Sequence, residues 1–375
     1  MRSICRFIAL IVLGLMVLSS VAWGQESQIK PLDIGAYVPD FNLPGVDGND
    51  WSPADFKDAE VLMVIFTCNH CPTAQAYEGR IKTLVADYKD KGVGVVAISP
   101  NDPCAVRLDE LGYSDLGDSL PEMQMRAKYA GFNFPYVYDG EKQEVSRKFG
   151  PERTPHVFVF DKERKLRYEG AIDNSEHIER AKIHYVRNAL DAVLGGKEPS
   201  PKKTRSKGCS VKWSDKRGSV KESLEKWAKE EVKLSAIDGN GVKEMLKNEG
   251  GKLRLVNVWA TWCGPCRMEF PYLMVINQMY RGRDFEFITL NLEGAEKAEG
   301  VTAFLKQMWA SNTNYRIEAG NPGDLVAVLG NGWRGELPFT LLIKPGGEVI
   351  YTHKGIIDVL EVRRKIVGYL GRTYK

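Results

Sequence analysis

The chain has 375 residues, of which 43% are hydrophobic and 27% are charged, and its formal net charge is +3. These proportions are typical of a folded chain with about two domains. The basic residues form no long stripe, which argues against nucleic acid as a partner. After the N-terminal segment, no stretch of the sequence is apolar enough to cross a bilayer.

The first 24 residues have the pattern of an export signal. Arg2 and Arg6 supply positive charge, residues 7–18 form a short apolar core, and residues 22–24 read Ala-Trp-Gly, a small-x-small cleavage site. The pattern predicts cleavage near Gly24 and an exported, periplasmic mature chain. The alternative is a retained anchor, the only arrangement in which a membrane is a partner, but the apolar core is short for a full span.

The cysteines fit an exported chain. Removal of Cys5 with the signal leaves six of them: Cys68, Cys71, Cys104, Cys209, Cys263 and Cys266. Exported chains meet an oxidising compartment, in which disulfides persist. Four of the six form two Cys-x-x-Cys pairs, and a two-residue gap is too short to staple distant parts of a fold. Such a pair suits a redox site at a helix start or half of a metal site.

The first half predicts an α/β domain over residues 30–196. A β-rich apolar run at residues 61–66 leads into Cys68-x-x-Cys71 and then into apolar residues at helical spacing. Further strand patterns follow at residues 94–98, 157–160 and 166–169. The last two strands are predicted to form a hairpin, and an amphipathic helix closes the half.

Residues 197–218 separate the two halves and are rich in Lys, Pro, Ser and Gly, which predicts a solvated linker. A second domain is predicted over residues 219–375. It repeats the same order, with an apolar run at residues 253–259, the pair Cys263-x-x-Cys266 and a helix. Its later strands are predicted at residues 285–290, 339–343 and 349–352. Strands interleaved with helices imply an α/β sheet in each half.

At these motifs the chain resembles the thioredoxin superfamily. Residues 256–271, which read VNVWATWCGPCRMEFP, resemble exported thiol reductases of the TlpA/ResA type. Residues 38–41 (VPDF) and 67–72 (TCNHCP) resemble the redoxin, or AhpC/TSA-like, branch. Residues 208–213 resemble the tail of such redoxins, which would extend the first domain to about residue 213. The resemblance implies two thioredoxin-like folds in tandem, each a central mixed β-sheet flanked by helices.

The resemblance also implies a cis proline opposite each cysteine pair. Pro155, after Thr154, and Pro338, after Leu337, each precede a predicted strand at about the required distance. A cis bond before proline costs only about 0.5–1 kcal/mol relative to trans. In the family, this loop lies beside the sulfur, where its backbone can pair with an incoming peptide.

The motifs predict thiol–disulfide exchange. The thiolate is the attacking species, and Cys68 and Cys263 are expected at helix N-termini, where the helix dipole lowers the pKa of a thiol. Cys71 and Cys266, about one turn further on, would resolve the mixed disulfide. No cofactor or metal is expected. The predicted partners are protein thiols or disulfides of the exported compartment, with an electron donor that the sequence does not identify.

The residues inside the two pairs differ. Gly264-Pro265 is typical of reducing thioredoxin-like proteins. His70 places an imidazole beside the first site, where it would stabilise the thiolate and make the disulfide more oxidising. We therefore expect electrons to run from the second pair to the first. The alternative for His70 is a solvated loop residue.

Aromatic residues near the second pair are candidates for substrate docking. Trp259, Trp262 and Phe270 are candidates for a dry docking surface, but the preferred interpretation places Trp259 in the core and Trp262 at the surface. Glu269 is expected either to assist proton transfer or to face solvent.

Two cysteines lie outside the pairs. Cys104 follows the strand at residues 94–98 and should lie at the same sheet edge as Cys68. A structural disulfide between Cys104 and Cys209 is the leading prediction. The alternative is that either one acts as an extra resolving thiol.

Other functions remain as alternatives. A peroxidase would carry Pro-x-x-x-Thr/Ser-x-x-Cys, but Ile65 precedes Cys68 by three positions, and Cys68 itself precedes Cys71 by three. Copper or zinc binding by the first domain would use these two cysteines with His70 and His156, a suitable thiolate and imidazole set. A third alternative is that the first domain only binds the substrate of the second.

Overall fold

The computed structural model describes residues 29–318 and 322–374. The predicted signal at residues 1–24, with Cys5, lies outside these ranges. The described chain divides into two compact units. The first contains residues 29–106, 116–217 and 373–374, and the second contains residues 107–115 and 218–372. No helix within the described ranges has the length and apolar character needed to span a bilayer.

The first unit alternates strands and helices. Its strands are β1 (Leu43–Pro44), β2 (Asp50–Trp51), β3 (Val61–Phe66), β4 (Val93–Ser99), β5 (Tyr136–Tyr138), β6 (Arg153–Thr154), β7 (His156–Phe160), β8 (Leu166–Gly170) and β9 (Cys209–Ser210). Its α-helices are α1 (Pro72–Tyr88), α2 (Leu120–Ala130), α3 (Glu144–Phe149) and α4 (Tyr185–Leu194). Short 3-10 helices lie at Pro53–Phe56, Lys89–Lys91, Pro103–Ala105, Ile178–Arg180 and Ser214–Lys216.

The main sheet of the first unit has the order β5-β4-β3-β7-β8. Strands β3, β4 and β5 are parallel, and β7 and β8 complete the sheet antiparallel. The central strand β3 is buried on both faces, because Val61, Met63 and Ile65 pack into one apolar cluster while Leu62 and its alternate neighbours pack into another. This two-sided burial explains why the strand reads as an unbroken apolar run.

The segment after α4 is a structured tail of the first unit, of the kind that the redoxin resemblance implied, and not the solvated linker that composition predicted for residues 197–218. Strand β9 pairs with β6, with Cys209 opposite Thr154, and the backbone N–H of Thr204 donates to the carbonyl of Glu169 at 3.0 Å. Gly208 has φ +127, and a Cβ there would collide with the carbonyl oxygen of Thr154. The polar tail is therefore held in place by backbone hydrogen bonds to neighbouring strands.

The second unit has a similar order of elements. Its strands are β10 (Ser235–Ile237), β11 (Leu253–Trp259), β12 (Phe285–Asn291), β13 (Thr313–Ile317), β14 (Phe339–Ile343) and β15 (Val349–Lys354). Its α-helices are α5 (Arg217–Ala228), α6 (Gly239–Lys247), α7 (Gly264–Tyr280), α8 (Ala298–Gln307), α9 (Pro322–Leu329) and α10 (Val359–Leu370). The 3-10 helices are Leu108–Leu111 and Ala295–Lys297.

The second sheet has the order β10-β13-β12-β11-β14-β15. Its first four strands are parallel, and β14 and β15 form the predicted antiparallel hairpin. Strand β11 is central, with Leu253, Leu255 and Trp259 packed on one face and Val256 and Val258 on the other. Each unit is therefore an α/β fold with a mixed sheet between helices, as the sequence predicted.

Residues 107–115 fold with the second unit, although the sequence assigned them to the first domain. Leu108 and Leu111 pack against the apolar core of that unit. The hydroxyl of Tyr280 donates to the carbonyl of Ser114 at 2.7 Å. The sequence does not indicate this assignment, because Leu108 and Leu111 are equally compatible with the apolar core of either unit.

Candidate functional site

The first cysteine pair lies between the end of β3 and the start of α1, and both sulfurs are buried. Cys71 is the N-cap of α1, and its sulfur accepts the backbone N–H of Ala74 at 3.4 Å. The helix begins at Pro72, where a missing N–H removes no helical bond. Cys68 precedes the cap by three residues. The second cysteine of the pair, rather than the first as predicted, therefore occupies the helix end.

Thr154 contacts both sulfurs. Its hydroxyl lies 3.1 Å from Sγ of Cys68, and its carbonyl oxygen lies 3.3 Å from Sγ of Cys71. The bond from Thr154 to Pro155 is cis, as predicted, and so is the bond from Leu337 to Pro338 in the second unit. The loop before β7 is thus placed against the cysteine pair.

His70 is buried and ion-paired, in contrast to the alternative of a solvated loop residue. Its Nδ1 lies 2.5 Å from Oδ2 of Asp118. The other oxygen of Asp118 accepts the backbone N–H groups of Asn69 at 2.8 Å and of His70 at 3.2 Å. Asn101 donates its side-chain amide to Oδ2 at 2.7 Å. Asp118 therefore fixes both the backbone and the imidazole between the two cysteines.

The ion pair shifts both of its members toward their charged forms. Burial acts to lower the pKa of His70, but the charge of Asp118 raises that pKa above its ordinary value of 6.5. Burial acts to raise the pKa of Asp118, but His70 and the donated hydrogen bonds hold that pKa below its ordinary value of 3.8. A protonated imidazole is therefore favoured beside the thiols.

The two thiols of the first pair are shifted in opposite directions. Burial acts to raise the pKa of Cys71, but hydrogen bonds from Cys209 and Cys68 and the charge of His70 hold that pKa well below its ordinary value of 9.0. Burial, the hydrogen bond to Cys71 and the charge of Asp118 raise the pKa of Cys68 well above that value. Of the two thiols, Cys71 is therefore the one that ionises more readily.

Cys209 lies beside this pair on strand β9. Its backbone N–H donates to Sγ of Cys71 at 3.3 Å, and it packs against the cluster formed by Cys68, Cys71 and Ala74. It is half-buried and lines a cavity of about 500 Å³. Cys209 is not in a disulfide. The predicted disulfide between Cys104 and Cys209 is therefore not formed, because β9 directs Cys209 to Cys71.

Cys104 lies in the 3-10 helix Pro103–Ala105, beyond the end of β4. Its backbone N–H donates to Oδ1 of Asp102 at 2.9 Å. Strand β4 runs parallel to β3, so the chain leaves both strands at the same sheet edge, where the sequence placed Cys104.

The second cysteine pair lies between β11 and α7 and forms a disulfide. Cys263 is the N-cap of α7, and its sulfur accepts the backbone N–H of Cys266 at 3.2 Å. Gly264 and Pro265 occupy the first two positions of the helix. Here the first cysteine holds the helix end, as predicted.

The aromatic residues near this pair divide between surface and core. Trp262 is 72% exposed and lies next to Cys263. Trp259 and Phe270 are fully buried, with ring centroids 4.8 Å apart. The predicted docking surface is therefore restricted to Trp262, because the other two rings fill the space between β11 and α7.

Glu269 is buried, not solvent-facing. Its Oε1 accepts the amide of Asn257 at 2.8 Å, and its Oε2 accepts the backbone N–H of Ile357 at 3.0 Å. Burial raises the pKa of Glu269 to about 7. A carboxyl three residues after Cys266 on α7 is therefore able to take or release a proton near neutral pH.

A metal-ligand set in the first unit differs from the one predicted. Ligand atoms of Cys68, His70 and Asp118 lie within 4.8 Å of one another. His156 is directed elsewhere, since its Nε2 lies 2.7 Å from Oε2 of Glu169 and its Nδ1 accepts the backbone N–H of Glu152 at 3.3 Å. His156 is therefore not available to an ion at the cysteines.

Sequence reasoning missed the residues that tune the first pair. Thr154 was identifiable, because it precedes the predicted cis proline. Asp118 and Asn101 carried no signal, since both lie in irregular segments far from Cys71 in the chain. For Cys209, the contact with the first pair agrees only with the alternative prediction of an extra resolving thiol.

Comparison with known proteins places the chain in a family. The Redoxin family matches residues 33–186 and 227–363. The thiol-disulfide oxidoreductase ResA of Oceanobacillus iheyensis is 28% identical over 139 residues, which cover 37% of this chain and 60% of that protein. ResA of Bacillus thuringiensis subsp. konkukian is 30% identical over 136 residues, covering 36% of this chain and 74% of that protein.

A solved structure, the hypothetical protein SMc02350 from Sinorhizobium meliloti 1021, is 33% identical, with a TM-score of 0.44. The match covers 49% of this chain and 97% of that one. The family and the ResA relatives agree with the predicted class, a thioredoxin-like oxidoreductase. Because the Redoxin match includes the cysteine pairs of both units, the chain belongs to the Redoxin family.

Proposed function

We propose that the chain is a thiol–disulfide oxidoreductase that exchanges disulfides with protein substrates at two sites, Cys68/Cys71 and Cys263/Cys266. The observation that carries the proposal is the same in both units: a cysteine pair follows the central strand, and one cysteine caps the next helix. A helix N-terminus favours the thiolate, which is the attacking species. The ResA relatives, named as thiol-disulfide oxidoreductases, support this activity.

In the second unit, Cys263 is the proposed nucleophile. Its sulfur accepts a backbone N–H at the start of α7, so the helix end stabilises its negative charge. Cys263 attacks a substrate disulfide and forms a mixed disulfide, and Cys266 then displaces the substrate thiol. Glu269, with a pKa of about 7, is positioned on the same face of α7 to accept the proton of Cys266. The exposed ring of Trp262 offers a docking surface for the substrate.

In the first unit, the order of the two cysteines is reversed. Cys71 is the proposed attacking thiolate, since it holds the helix end and its pKa is well below the ordinary value. Cys68, whose pKa is raised, stays protonated until Cys71 enters a mixed disulfide and no longer carries a negative charge beside it. Cys68 then resolves that disulfide.

The two couples are proposed to differ in reduction potential. Stabilising the thiolate stabilises the reduced pair, and this makes the corresponding disulfide a stronger oxidant. His70 and Asp118 place a buried ion pair next to Cys71. The second pair has Gly264 and Pro265 between its cysteines. The Cys68/Cys71 couple is therefore the more oxidising one, and electrons flow from the second pair to the first.

The test is a redox titration of the full chain in graded glutathione or dithiothreitol buffers. Alkylation and peptide mass spectrometry report each pair separately. Two reversible couples are expected, with Cys68/Cys71 more oxidising by at least about 30 mV, a tenfold preference for a two-electron couple. The variants Cys71→Ser and Cys266→Ser serve as matched controls, each removing one couple and leaving the other. Absence of a reversible couple in both units would overturn the proposed activity.

We propose that this exchange takes place on exported proteins. The basic and apolar pattern of residues 1–24 supports export. An oxidising compartment supplies substrates that carry disulfides. Fractionation of cells that produce the full chain tests this: a periplasmic chain shortened by about 24 residues is expected, and an unprocessed intracellular chain contradicts the proposal.

Metal binding by the first unit is the second candidate. Nε2 of His70 is buried and has no hydrogen-bond partner among the described residues. Cys68, His70 and Asp118 offer thiolate, imidazole and carboxylate ligand atoms within 4.8 Å of one another, a set that suits zinc. Titration of the reduced chain with Zn²⁺ against a chromogenic chelator tests this candidate. The candidate is supported if the unaltered chain binds Zn²⁺ tightly and Cys68→Ser does not. Equal Zn²⁺ binding by the unaltered chain and Cys68→Ser contradicts it.

A further inference from the structure

The proposed nucleophile of the first unit has no exposed surface. Cys71 is 0% exposed and Cys68 is 3% exposed. A substrate disulfide must bring its sulfur to about 2 Å from the attacking sulfur, since that is the length of the new bond. The buried pair therefore needs an accessible group that receives the substrate.

Cys209 is the more exposed neighbour of this pair. It is half-buried, lines the cavity of about 500 Å³, and donates its backbone N–H to Sγ of Cys71 at 3.3 Å. The three thiols Cys68, Cys71 and Cys209 belong to one packed cluster in which Cys71 contacts both of the others. Cys71 is thus the central sulfur.

The backbone holds Cys209 in place. Antiparallel pairing of β9 with β6 sets Cys209 opposite Thr154, the residue whose side chain and carbonyl contact Cys68 and Cys71. Gly208 permits this approach, because any Cβ at its φ of +127 would collide with Thr154. Arg153 adds a hydrogen bond to the carbonyl of Gly208 at 2.9 Å.

We propose that Cys209 is a third redox-active cysteine, the accessible thiol that receives a substrate disulfide and passes it to Cys71. This inference rests on the proposed thiol–disulfide exchange and names the route into its first site. It also replaces the structural disulfide that the sequence predicted for Cys209.

The exchange proceeds in three displacements. The Cys209 thiolate attacks one sulfur of the substrate disulfide, forms a mixed disulfide and releases the other substrate sulfur as a thiolate. The Cys71 thiolate attacks the Cys209 sulfur, releases the second substrate thiolate and forms a Cys71–Cys209 disulfide. Cys68 then attacks Cys71, which expels the Cys209 thiolate. Two electrons pass from the Cys68/Cys71 pair to the substrate. The two substrate thiolates take up the proton that Cys68 releases as it attacks and one proton from solvent.

The experiment uses the full chain with Cys263 and Cys266 both replaced by serine. The reduced chain is mixed with oxidised glutathione, quenched by alkylation and mapped by mass spectrometry. We expect transient glutathione on Cys209, then a Cys68–Cys71 disulfide. In Cys68→Ser, a Cys71–Cys209 disulfide accumulates. In Cys209→Ser, formation of the Cys68–Cys71 disulfide slows at least tenfold, although the serine hydroxyl keeps a hydrogen-bond donor beside Cys71.

Gly208→Ala provides a second variant that keeps all three thiols. Displacement of β9 is expected to slow the exchange as Cys209→Ser does. The role of Cys209 is overturned if the Cys68–Cys71 disulfide forms in Cys209→Ser as fast as in the chain with Cys209. It is also overturned if glutathione is found on Cys71 alone in Cys68→Ser. If instead Cys68 and Cys71 stay reduced with every disulfide tried, the proposed function of the first site fails rather than the route to it.

Discussion

Cys71 caps helix α1 of the first unit in the way that Cys263 caps helix α7 of the second. Cys71 is the second cysteine of its pair, whereas Cys263 is the first cysteine of its pair. The helix after the pair therefore begins three residues later, relative to the motif, in the first unit. Because a helix end favours the thiolate of the cysteine that it holds, the proposed attacking sulfur differs between the two units.

The thiolate of the first site is expected to be Cys71. Absorbance near 240 nm follows thiolate formation as pH rises, in a chain with Cys263 and Cys266 replaced by serine. The earliest step should vanish in Cys71→Ser, because the pKa of Cys71 is the one held well below 9.0. The matched variant Cys68→Ser should keep that step, since the pKa of Cys68 is raised. The reverse pattern would return the role of nucleophile to Cys68.

Asp118→Asn is expected to weaken the first site in two ways. Without the carboxylate, the pKa of His70 falls and the pKa of Cys71 rises toward its ordinary value, so disulfide exchange slows at neutral pH. Breaking a buried ion pair by removing one partner also costs about 3 kcal/mol of unfolding free energy. Thiolate absorbance and urea unfolding measure the two effects.

The pH dependence of that loss follows from the two shifts. The pKa of Asp118 is lowered, so its contribution is present above the ordinary value of 3.8 and is lost as pH falls through the folded value. The pKa of His70 is raised, so its contribution is present below 6.5 and is lost as pH rises through the folded value. The stability difference between the chains should therefore be largest between about pH 4 and 6.5.

Asp173→Asn is the matched control for this prediction. Asp173 is also buried and lies 2.6 Å from Arg80, in the same unit. Its replacement should lower stability but leave the titration of Cys71 unaltered. A loss of the thiolate step in both variants would mean that destabilisation alone explains the effect of Asp118→Asn.

The sequence predicted the order of strands and helices because each element has its own local pattern of apolar residues. Apolar runs buried on both faces, such as β3 and β11, are followed at once by the cysteine pairs. The cis bonds at Pro155 and Pro338 were predicted through the family resemblance and are present. These features depend on neighbouring residues, so a single sequence contains them.

The features that were missed depend on distant parts of the chain. The sequence does not reveal that α1 begins after its cysteine pair whereas α7 begins inside its own pair. Both motifs have the same pattern of a strand, a cysteine pair and a helix. Asp118 reaches His70 from a loop 48 residues away. The redoxin resemblance implied a tail to about residue 213, but the composition of residues 197–218 favours a linker. The pairing of the tail with β6 depends on a close approach at Gly208.

The stability of the second unit is expected to fall as pH rises from about 4.5 to about 7. Burial raises the pKa of Glu269 from 4.5 to about 7, so the folded unit keeps a proton that the unfolded chain releases. The total loss is about 3 kcal/mol, with a slope of at most about 1.4 kcal/mol per pH unit. Urea unfolding at several pH values, followed by tryptophan fluorescence, measures it.

Glu269→Gln should flatten this slope. Glu293→Gln is the opposing control, because the pKa of Glu293 is lowered by hydrogen bonds from Thr261 and Asn291 despite its burial. Its contribution to stability is present above pH 4.5 and is lost on acidification, so this variant should lose stability at neutral pH. A slope that persists in Glu269→Gln would show that another group causes it.

Trp262→Ala is expected to impair exchange with protein disulfides. The ring is 72% exposed next to Cys263, so its removal should change stability by no more than about 0.5 kcal/mol. Loss of an aromatic contact with the substrate should slow exchange about tenfold, or about 1.4 kcal/mol. The rate with a small disulfide should stay the same. Tyr369→Ala, another exposed aromatic residue of this unit, should alter neither rate.

The cavity beside Cys209 should favour anionic disulfides. Arg153, Lys207 and Lys212 line it against one carboxylate, that of Glu176. Oxidised glutathione, which is net negative, should therefore oxidise the first site faster than cationic cystamine does. This ratio should shrink as salt rises from about 0.01 M to about 1 M, since the screening length falls from about 30 Å to about 3 Å.

Lys207→Glu should lower the preference about threefold, the size expected of an exposed charge. Lys202→Glu makes the same change in net charge on the same tail, but Lys202 does not line the cavity, so the preference should persist. Equal rates for the two disulfides in the unaltered chain would mean that substrates reach the cysteines without passing these cations. A preference that Lys202→Glu removes equally would assign it to the net charge of the chain rather than to the cavity.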